Sequence, residues 1–195
     1  MRCCSICCKK QQRSPAIRSG SMIVRLPPYN LVATRKMIAS SRKTLHLIAL
    51  LCLAAVGIAL ISQHVFNIRP CAWCVLQRLI YLVIAVVCWL GLLLDRIGAL
   101  RRLAALVAAA LSIGGMMAAW YQYSVAAKMF SCDQTFADKF MVGAGLDAHV
   151  PWLFGIFASC MDARIKVLGI EYAIWSLGLF AVLGVLSLIA LARRD

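Results

Sequence analysis

Residues 75–94 read VLQRLIYLVIAVVCWLGLLL, an apolar run that decides the fold of this chain. A helix rises about 1.5 Å per residue, so about 20 apolar residues are enough to cross the hydrocarbon core of a bilayer. Three other runs reach this length, and the four predicted spans cover about 45–65, 75–94, 103–123 and 172–192. With 63% hydrophobic and 14% charged residues, the chain lies outside the composition of soluble domains. We therefore predict an all-α membrane protein, a four-transmembrane-helix bundle.

Lys and Arg residues cluster beside the predicted spans and indicate their orientation. Residues 1–43 contain ten Lys and Arg residues and no acidic residue, and further basic residues lie in the 95–102 turn and at the carboxyl terminus. Because basic residues are retained on the cytoplasmic side, we expect both termini in the cytoplasm and, if the membrane is a bacterial inner membrane, the outer loops in the periplasm. Two periplasmic loops follow, at about 66–74 and 124–171. The net charge of +14 thus reflects orientation and does not indicate a nucleic-acid partner.

The longer of these loops contains an apolar segment, VPWLFGIF at 150–157. It is too short to cross a bilayer and too apolar for a loop that lies free in water. We expect it to form a short interfacial helix or a re-entrant piece.

The basic tail, 1–43, precedes a membrane domain that we place at 44–192. Met22 and Met37 are alternative starts, and we expect translation to begin at one of them. In that case the segment before the start is absent from the protein, and with it the four tail cysteines, namely Cys3, Cys4, Cys7 and Cys8.

The topology sorts the ten cysteines by side. Two lie inside spans and are expected to behave as small buried hydrophobic residues, namely Cys52 and Cys88. Four lie outside the membrane or at its outer boundary, where disulfides persist, namely Cys71, Cys74, Cys132 and Cys160. The chemistry is expected in this second group.

Cys71 and Cys74 form a C-x-x-C that follows Pro70 and enters a predicted helix directly. Proline suits the first turn of a helix, and the unpaired N–H groups and positive dipole end there favour a thiolate. Arg78 follows at i+4 from Cys74, on the same helix face. An Arg inside a span costs about 2 kcal/mol or more unless it is paired, so it is a functional candidate. A thiolate and a guanidinium one turn apart could polarise a lipid-soluble oxidant that carries a carbonyl.

Simpler interpretations of the outer cysteines remain open. A zinc site needs two further Cys or His ligands at suitable spacing, and the outer loops lack them, so we expect no metal. Cys132 and Cys160 could form a structural disulfide within the long loop. Four cysteines allow three connectivities, of which a local pair plus a loop pair makes a relay.

The chain resembles the DsbB family of bacterial inner-membrane disulfide-formation proteins. The resemblance rests on the four-span layout, on PCAWCVLQR at 70–78, and on the later pair Cys132 and Cys160. It covers about residues 40–192. Some family members have a histidine near the outer end of the third span, where this chain has Tyr123.

The resemblance implies a thiol oxidase that reoxidises a periplasmic dithiol protein of the DsbA type and passes two electrons to a membrane quinone. By position, Cys132 is attacked by the DsbA thiolate, and Cys160 is its disulfide partner. Cys160 then exchanges with Cys71, which leaves Cys74 as the thiolate against the quinone ring. Arg78 binds a quinone carbonyl and stabilises that charge.

Other functions stay open at this point. A related membrane enzyme could carry electrons in the reducing direction, because direction depends on reduction potentials. A non-catalytic scaffold with a disulfide-stapled loop would also contain these cysteines. The sequence does not distinguish ubiquinone from menaquinone.

Overall fold

The computed structural model of this chain describes residues 29–94, 98–126, 135–162, 166–167 and 169–192, with the backbone alone described for 29–40. Within these ranges the elements follow in the order α1 (Tyr29–His64), α2 (Ala72–Leu93), α3 (Ala99–Ser124), α4 (Phe136–Gly143), α5 (Leu146–His149), α6 (Pro151–Phe154), β1 (Lys166–Val167), β2 (Ile170–Glu171) and α7 (Tyr172–Ala192). The four tail cysteines, Met22, Arg193 and Arg194 lie outside the described residues.

Four of these helices are long and apolar enough to cross a membrane. The spanning segments are Ser41–His64, Ala72–Leu93, Ala99–Ser124 and Tyr172–Ala192. The predicted bundle is thus confirmed, and the chain is a multi-pass membrane protein. The second span begins three residues earlier than predicted, because the C-x-x-C itself forms the first helical turn.

The spanning helices close into a ring in which α1 packs on α2, α2 on α3, α3 on α7 and α7 on α1. An apolar cluster fills the middle of the ring and includes Ile48, Cys52, Ile84, Cys88, Phe180 and Leu183. A second cluster lies at the end of the bundle where α2 begins, which we call the cysteine end. It includes Cys71, Trp73, Val75, Met141 and Phe154.

Helices α3 and α7 approach closely at Gly115. A Cβ atom at this position would overlap the ring of Phe180, which stacks on Tyr81 with ring centroids 4.2 Å apart. The preceding Gly114 faces open space. The small residue at 115 therefore lets the two helices approach closely.

The connection between α3 and α7 contains more structure than the single short helix predicted for it. Helix α6 is the expected piece within 150–157, but α4, α5 and the β1–β2 hairpin were not predicted, and the hairpin departs from the all-α expectation. Helix α4 begins with a capping box, in which Thr135 accepts from the Asp138 N–H and Asp138 accepts from the Thr135 N–H. Both α4 and α6 pack on α2, so they cover the cysteine end.

Candidate active site

The start of α2 holds two cysteines side by side. Cys71 caps the helix with an extended backbone, and its carbonyl accepts from the Val75 N–H at 3.1 Å. Cys74 follows in the first turn, and its Sγ lies 3.2 Å from the Cys71 Sγ, a hydrogen-bond distance for two thiols. The carbonyl of Pro70 accepts from the Phe157 N–H at 3.0 Å, which ties the α6 segment to this turn.

Cys160 lies in the connection between α3 and α7, after α6, and its side chain comes close to Cys71 at the cysteine end. Cys160 lies within a turn that is closed by Ser159 and Asp162, whose hydroxyl and carboxylate hydrogen-bond at 2.6 Å. The Cys160 side chain packs in the apolar cluster of the cysteine end and hydrogen-bonds the Cys71 thiol. Three of the four predicted cysteines therefore meet, whereas Cys132 lies outside the described residues.

The surroundings of Cys71 favour its protonated form. Hydrogen bonds with the thiols of Cys160 and Cys74, together with burial, raise the pKa of Cys71 well above its ordinary value. Its side chain makes no capping hydrogen bond to the helix. The helix start favours a thiolate, but at Cys71 the hydrogen bonds to neighbouring sulfurs and the burial act in the opposite direction.

Two glutamines adjoin the sulfurs, and the sequence analysis overlooked both. The Nε2 of Gln122 on α3 donates to the Cys74 Sγ at 3.1 Å and to the Cys71 Sγ at 3.7 Å. The Gln122 Oε1 accepts from the Gln77 Nε2 at 2.8 Å. Both amides are buried. Their signal in the sequence is a polar amide in each of two apolar spans, near the end of the span at the cysteine end, where such groups need partners.

Arg78 is buried, and uncharged groups from two other elements satisfy it. Its Nη1 donates to the Gln63 Oε1 at 2.5 Å and to the Leu153 carbonyl at 3.1 Å. Its Nη2 donates to the Ala59 carbonyl at 3.2 Å. Because these acceptors are neutral, the positive charge is positioned without being neutralised and remains available to an anionic neighbour.

The end of α1 also holds α6 in place beside Arg78. The Nε2 of His64 donates to the Trp152 carbonyl at 3.1 Å, one residue before the carbonyl that accepts from Arg78. His64 is exposed and lines none of the described cavities. His64 therefore contacts helix α6 beside the site and not the cavity itself.

A cavity of about 430 Å³ opens beside Cys74 between α1, α2, α7 and the hairpin. Its polar lining comes from Cys74, Gln77, Arg78, Tyr81, Tyr172 and Ser176. Aliphatic and aromatic residues form the rest of the wall, which suits an apolar ring with a few polar substituents. The hydroxyl groups of Tyr81 and Ser176 hydrogen-bond at 2.8 Å.

Two further cysteines of the described ranges lie apart from this site. Cys52 and Cys88 are fully buried in the central apolar cluster, as predicted. Within the described ranges, no group of three or more His, Cys, Asp and Glu side chains is arranged to hold a metal ion.

Comparison with known proteins identifies the family. A family model described as "Disulfide bond formation protein DsbB" matches residues 41–190. Disulfide bond formation protein B of Herminiimonas arsenicoxydans is 29% identical over 155 residues, 80% of this chain and 98% of that protein. The protein of the same name from Ralstonia nicotianae is 30% identical, over 82% of this chain and 99% of that protein. Disulfide bond formation protein B 1 of Pseudomonas putida is 31% identical, over 78% and 91%. The chain therefore belongs to the DsbB family of membrane disulfide bond formation proteins.

Proposed function

We propose that this chain is a quinone-dependent thiol oxidase that reoxidises a periplasmic dithiol protein of the DsbA type. The observation that carries the proposal is a continuous path of contacts. Cys160 contacts Cys71, Cys71 contacts Cys74, and Cys74 faces the cavity that Arg78 also lines. A merely structural disulfide needs no such path.

Disulfide exchange along this path accounts for each cysteine. A thiolate of the dithiol partner attacks Cys132 of a Cys132–Cys160 disulfide, and Cys160 leaves as a thiolate. Cys160 then attacks Cys71 of a Cys71–Cys74 disulfide, so that the Cys160–Cys71 bond forms and Cys74 leaves with the electron pair. The raised pKa of Cys71 makes it the poorer leaving group of its pair. The partner's second thiolate then attacks the sulfur that is bound to Cys132, which closes the partner's disulfide and releases Cys132 as a thiolate. Cys132 in turn attacks Cys160 and displaces Cys71, so the Cys132–Cys160 disulfide is restored and the two electrons lost by the partner lie on Cys71 and Cys74.

The cavity beside Cys74 fits a quinone ring. Its volume of about 430 Å³ and apolar wall suit such a ring, and the Arg78 guanidinium would donate to one ring carbonyl. A bound quinone, ubiquinone or menaquinone, supplies the acceptor for the two electrons. Arg78 holds positive charge beside the Cys74 sulfur, which stabilises a thiolate there.

The proposed function requires the cysteine end to face the periplasm of a bacterial inner membrane. The basic residues near the opposite end support this orientation, because they favour the cytoplasmic side. The termini are then cytoplasmic, and the α4–α6 segment is available to a soluble periplasmic partner.

Disulfide trapping tests the exchange path. In the Cys74→Ser variant, mild oxidation is expected to produce a Cys71–Cys160 disulfide, detected by peptide mass spectrometry. The matched Cys71→Ser variant is expected to give little Cys74–Cys160 disulfide. Equal yields of the Cys160 disulfide in the two variants would contradict the proposed order of exchange. If neither variant forms a disulfide with Cys160, the proposed contact between Cys160 and Cys71 is wrong.

A second trap tests the soluble partner. In the Cys160→Ser variant, the Cys132 thiol lacks its internal partner, so it can attack the disulfide of an oxidised DsbA-type protein and is expected to retain that protein as a mixed disulfide, while the partner's other cysteine leaves as a thiol. If no Cys132-linked adduct accumulates, the proposed oxidase is wrong. If added quinone also fails to oxidise the reduced parent, the reducing direction is favoured.

A further inference from the structure

The amide pair Gln77–Gln122 joins α2 to α3 at the sulfur that faces the cavity. Both side chains are buried, with exposed fractions of 4% and 6%. A buried amide without partners is costly, and one function of such a pair is to hold two spans together. That function alone does not require one of the amides to donate to a sulfur.

The hydrogen-bond directions along this pair follow from the chemistry of a thiolate. A thiolate accepts hydrogen bonds and has no proton to donate. A contact between Gln122 and a Cys74 thiolate must therefore use the Gln122 amide N–H, which turns the Gln122 Oε1 away from the sulfur. Gln77 donates to that oxygen at 2.8 Å and so stabilises this orientation against a flip of the amide.

The same amide distinguishes the two sulfurs of the C-x-x-C. Its nitrogen lies 3.1 Å from the Cys74 Sγ and 3.7 Å from the Cys71 Sγ. A hydrogen bond to a charged acceptor strengthens as the charge develops and with closer approach. The arrangement thus favours negative charge on Cys74 over negative charge on Cys71.

We propose that Gln122 donates a hydrogen bond to the Cys74 thiolate, and that Gln77 is the positioning residue that orients it. The inference rests on the proposed function, because it gives Cys74 the role of leaving sulfur. When the Cys160 thiolate attacks Cys71, the Cys71–Cys74 bond breaks and its electron pair remains on Cys74. Gln122 stabilises that sulfur without transferring a proton.

Arg78 and Gln122 therefore both stabilise negative charge on the Cys74 sulfur, and they approach it from different helices. Arg78 lines the cavity, and Gln63 and the Leu153 carbonyl of α6 hold its guanidinium in place. Gln122 reaches Cys74 from α3 and does not line the cavity. The hydrogen bond from Gln122 to Cys74 therefore forms without a ligand in the cavity, although Gln77, which orients Gln122, lines that cavity.

Alkylation of single thiols tests the proposal without quinone or a dithiol partner. In the reduced full-length Cys71→Ser variant, the rate at which iodoacetamide modifies Cys74 is followed by mass spectrometry of the peptide. Because the thiolate is the reactive form, adding Gln122→Met is expected to slow Cys74 alkylation about tenfold. Adding Gln77→Met is expected to slow it about threefold, because Gln122 loses its orienting donor.

A double-mutant cycle separates positioning from packing. If Gln77 acts through Gln122, the Gln77→Met/Gln122→Met double variant is no slower than Gln122→Met alone. In the reciprocal Cys74→Ser background, Gln122→Met should slow Cys71 alkylation much less, because that contact is longer. A matched control is Ser112→Ala on the same helix as Gln122. The Ser112 hydroxyl donates to the Ala108 carbonyl, so its loss should leave the rate of Cys74 alkylation at the parent value.

Three results would overturn the proposal. These are a parental rate in folded Gln122→Met, equal slowing of Cys74 and Cys71, and additive effects of the two glutamine changes. If Gln122→Met does not fold, Gln77→Met carries the test, and a parental rate in that variant overturns the positioning role. Failure of the parent to reduce quinone would end the proposed function and leave these alkylation rates interpretable.

Discussion

Two pairs of cysteines lie in one bundle, and their surroundings differ. Cys52 and Cys88 are fully buried in a cluster of aliphatic and aromatic side chains in the middle of the ring. Cys71 and Cys74 are 3.2 Å apart, next to a third thiol, a buried amide donor and a cavity that contains a guanidinium. The comparison teaches that neighbours, more than burial, determine which thiol can react.

Removing one cysteine from each region gives the sharpest form of this comparison. Cys74→Ser is expected to reduce quinone-dependent oxidation of a dithiol protein to the uncatalysed background, because no thiolate then faces the cavity. Cys88→Ala, on the same helix, is expected to retain the parent turnover. The rate of quinone absorbance loss measures both, and equal losses of activity would erase the distinction between the regions.

Arg78 tests whether the charge at the cavity acts on the ligand. Arg78→Met is expected to raise the KM for quinone about tenfold or more, the value of a charged hydrogen bond. Exchange between the protein and the dithiol partner, measured by rapid quenching without quinone, should change much less. Arg78→Lys keeps the positive charge but loses the planar guanidinium. Its KM for quinone should therefore lie between those of the parent and of Arg78→Met. An unchanged KM in Arg78→Met would contradict the assigned role.

The closeness of α3 and α7 is tested by two adjacent glycines. Gly115→Ala is expected to lower the free energy of unfolding by about 1–3 kcal/mol, because its Cβ displaces Phe180 from the ring of Tyr81. Gly114→Ala faces open space and should be neutral or stabilising by up to about 1 kcal/mol. Thermal unfolding in detergent compares them. If Gly115→Ala is as stable as Gly114→Ala, Phe180 can move aside without loss of stability, and the close approach at Gly115 does not require a glycine.

The sequence was sufficient for the parts of the molecule whose signal is local. Apolar runs of the right length predicted the four spans, and PCAWCVLQR at 70–78 singled out the turn that contains Cys71 and Cys74. Arg78 was recognised because a charge inside a span is unusual. These features depend on neighbours along the chain.

The remaining features arise from contacts between distant segments. Gln77 and Gln122 are 45 residues apart, so neither sequence context reveals their hydrogen bond. Two acceptors of Arg78 are main-chain carbonyls, which carry no residue-type signal. The raised pKa of Cys71 likewise depends on Cys160, which a turn brings from the far side of the long connection. Local helix-dipole reasoning could not include that neighbour.

Thiol mapping with and without quinone tests the central claim most directly. The fully reduced protein, in membranes free of other oxidants, is mixed with quinone, and each cysteine is then assigned as thiol or disulfide by differential alkylation and mass spectrometry. We expect a Cys71–Cys74 disulfide to appear while Cys52 and Cys88 remain thiols. If Cys71 and Cys74 remain reduced, or if Cys52 and Cys88 oxidise equally fast, the account of the cavity and its thiolate is wrong.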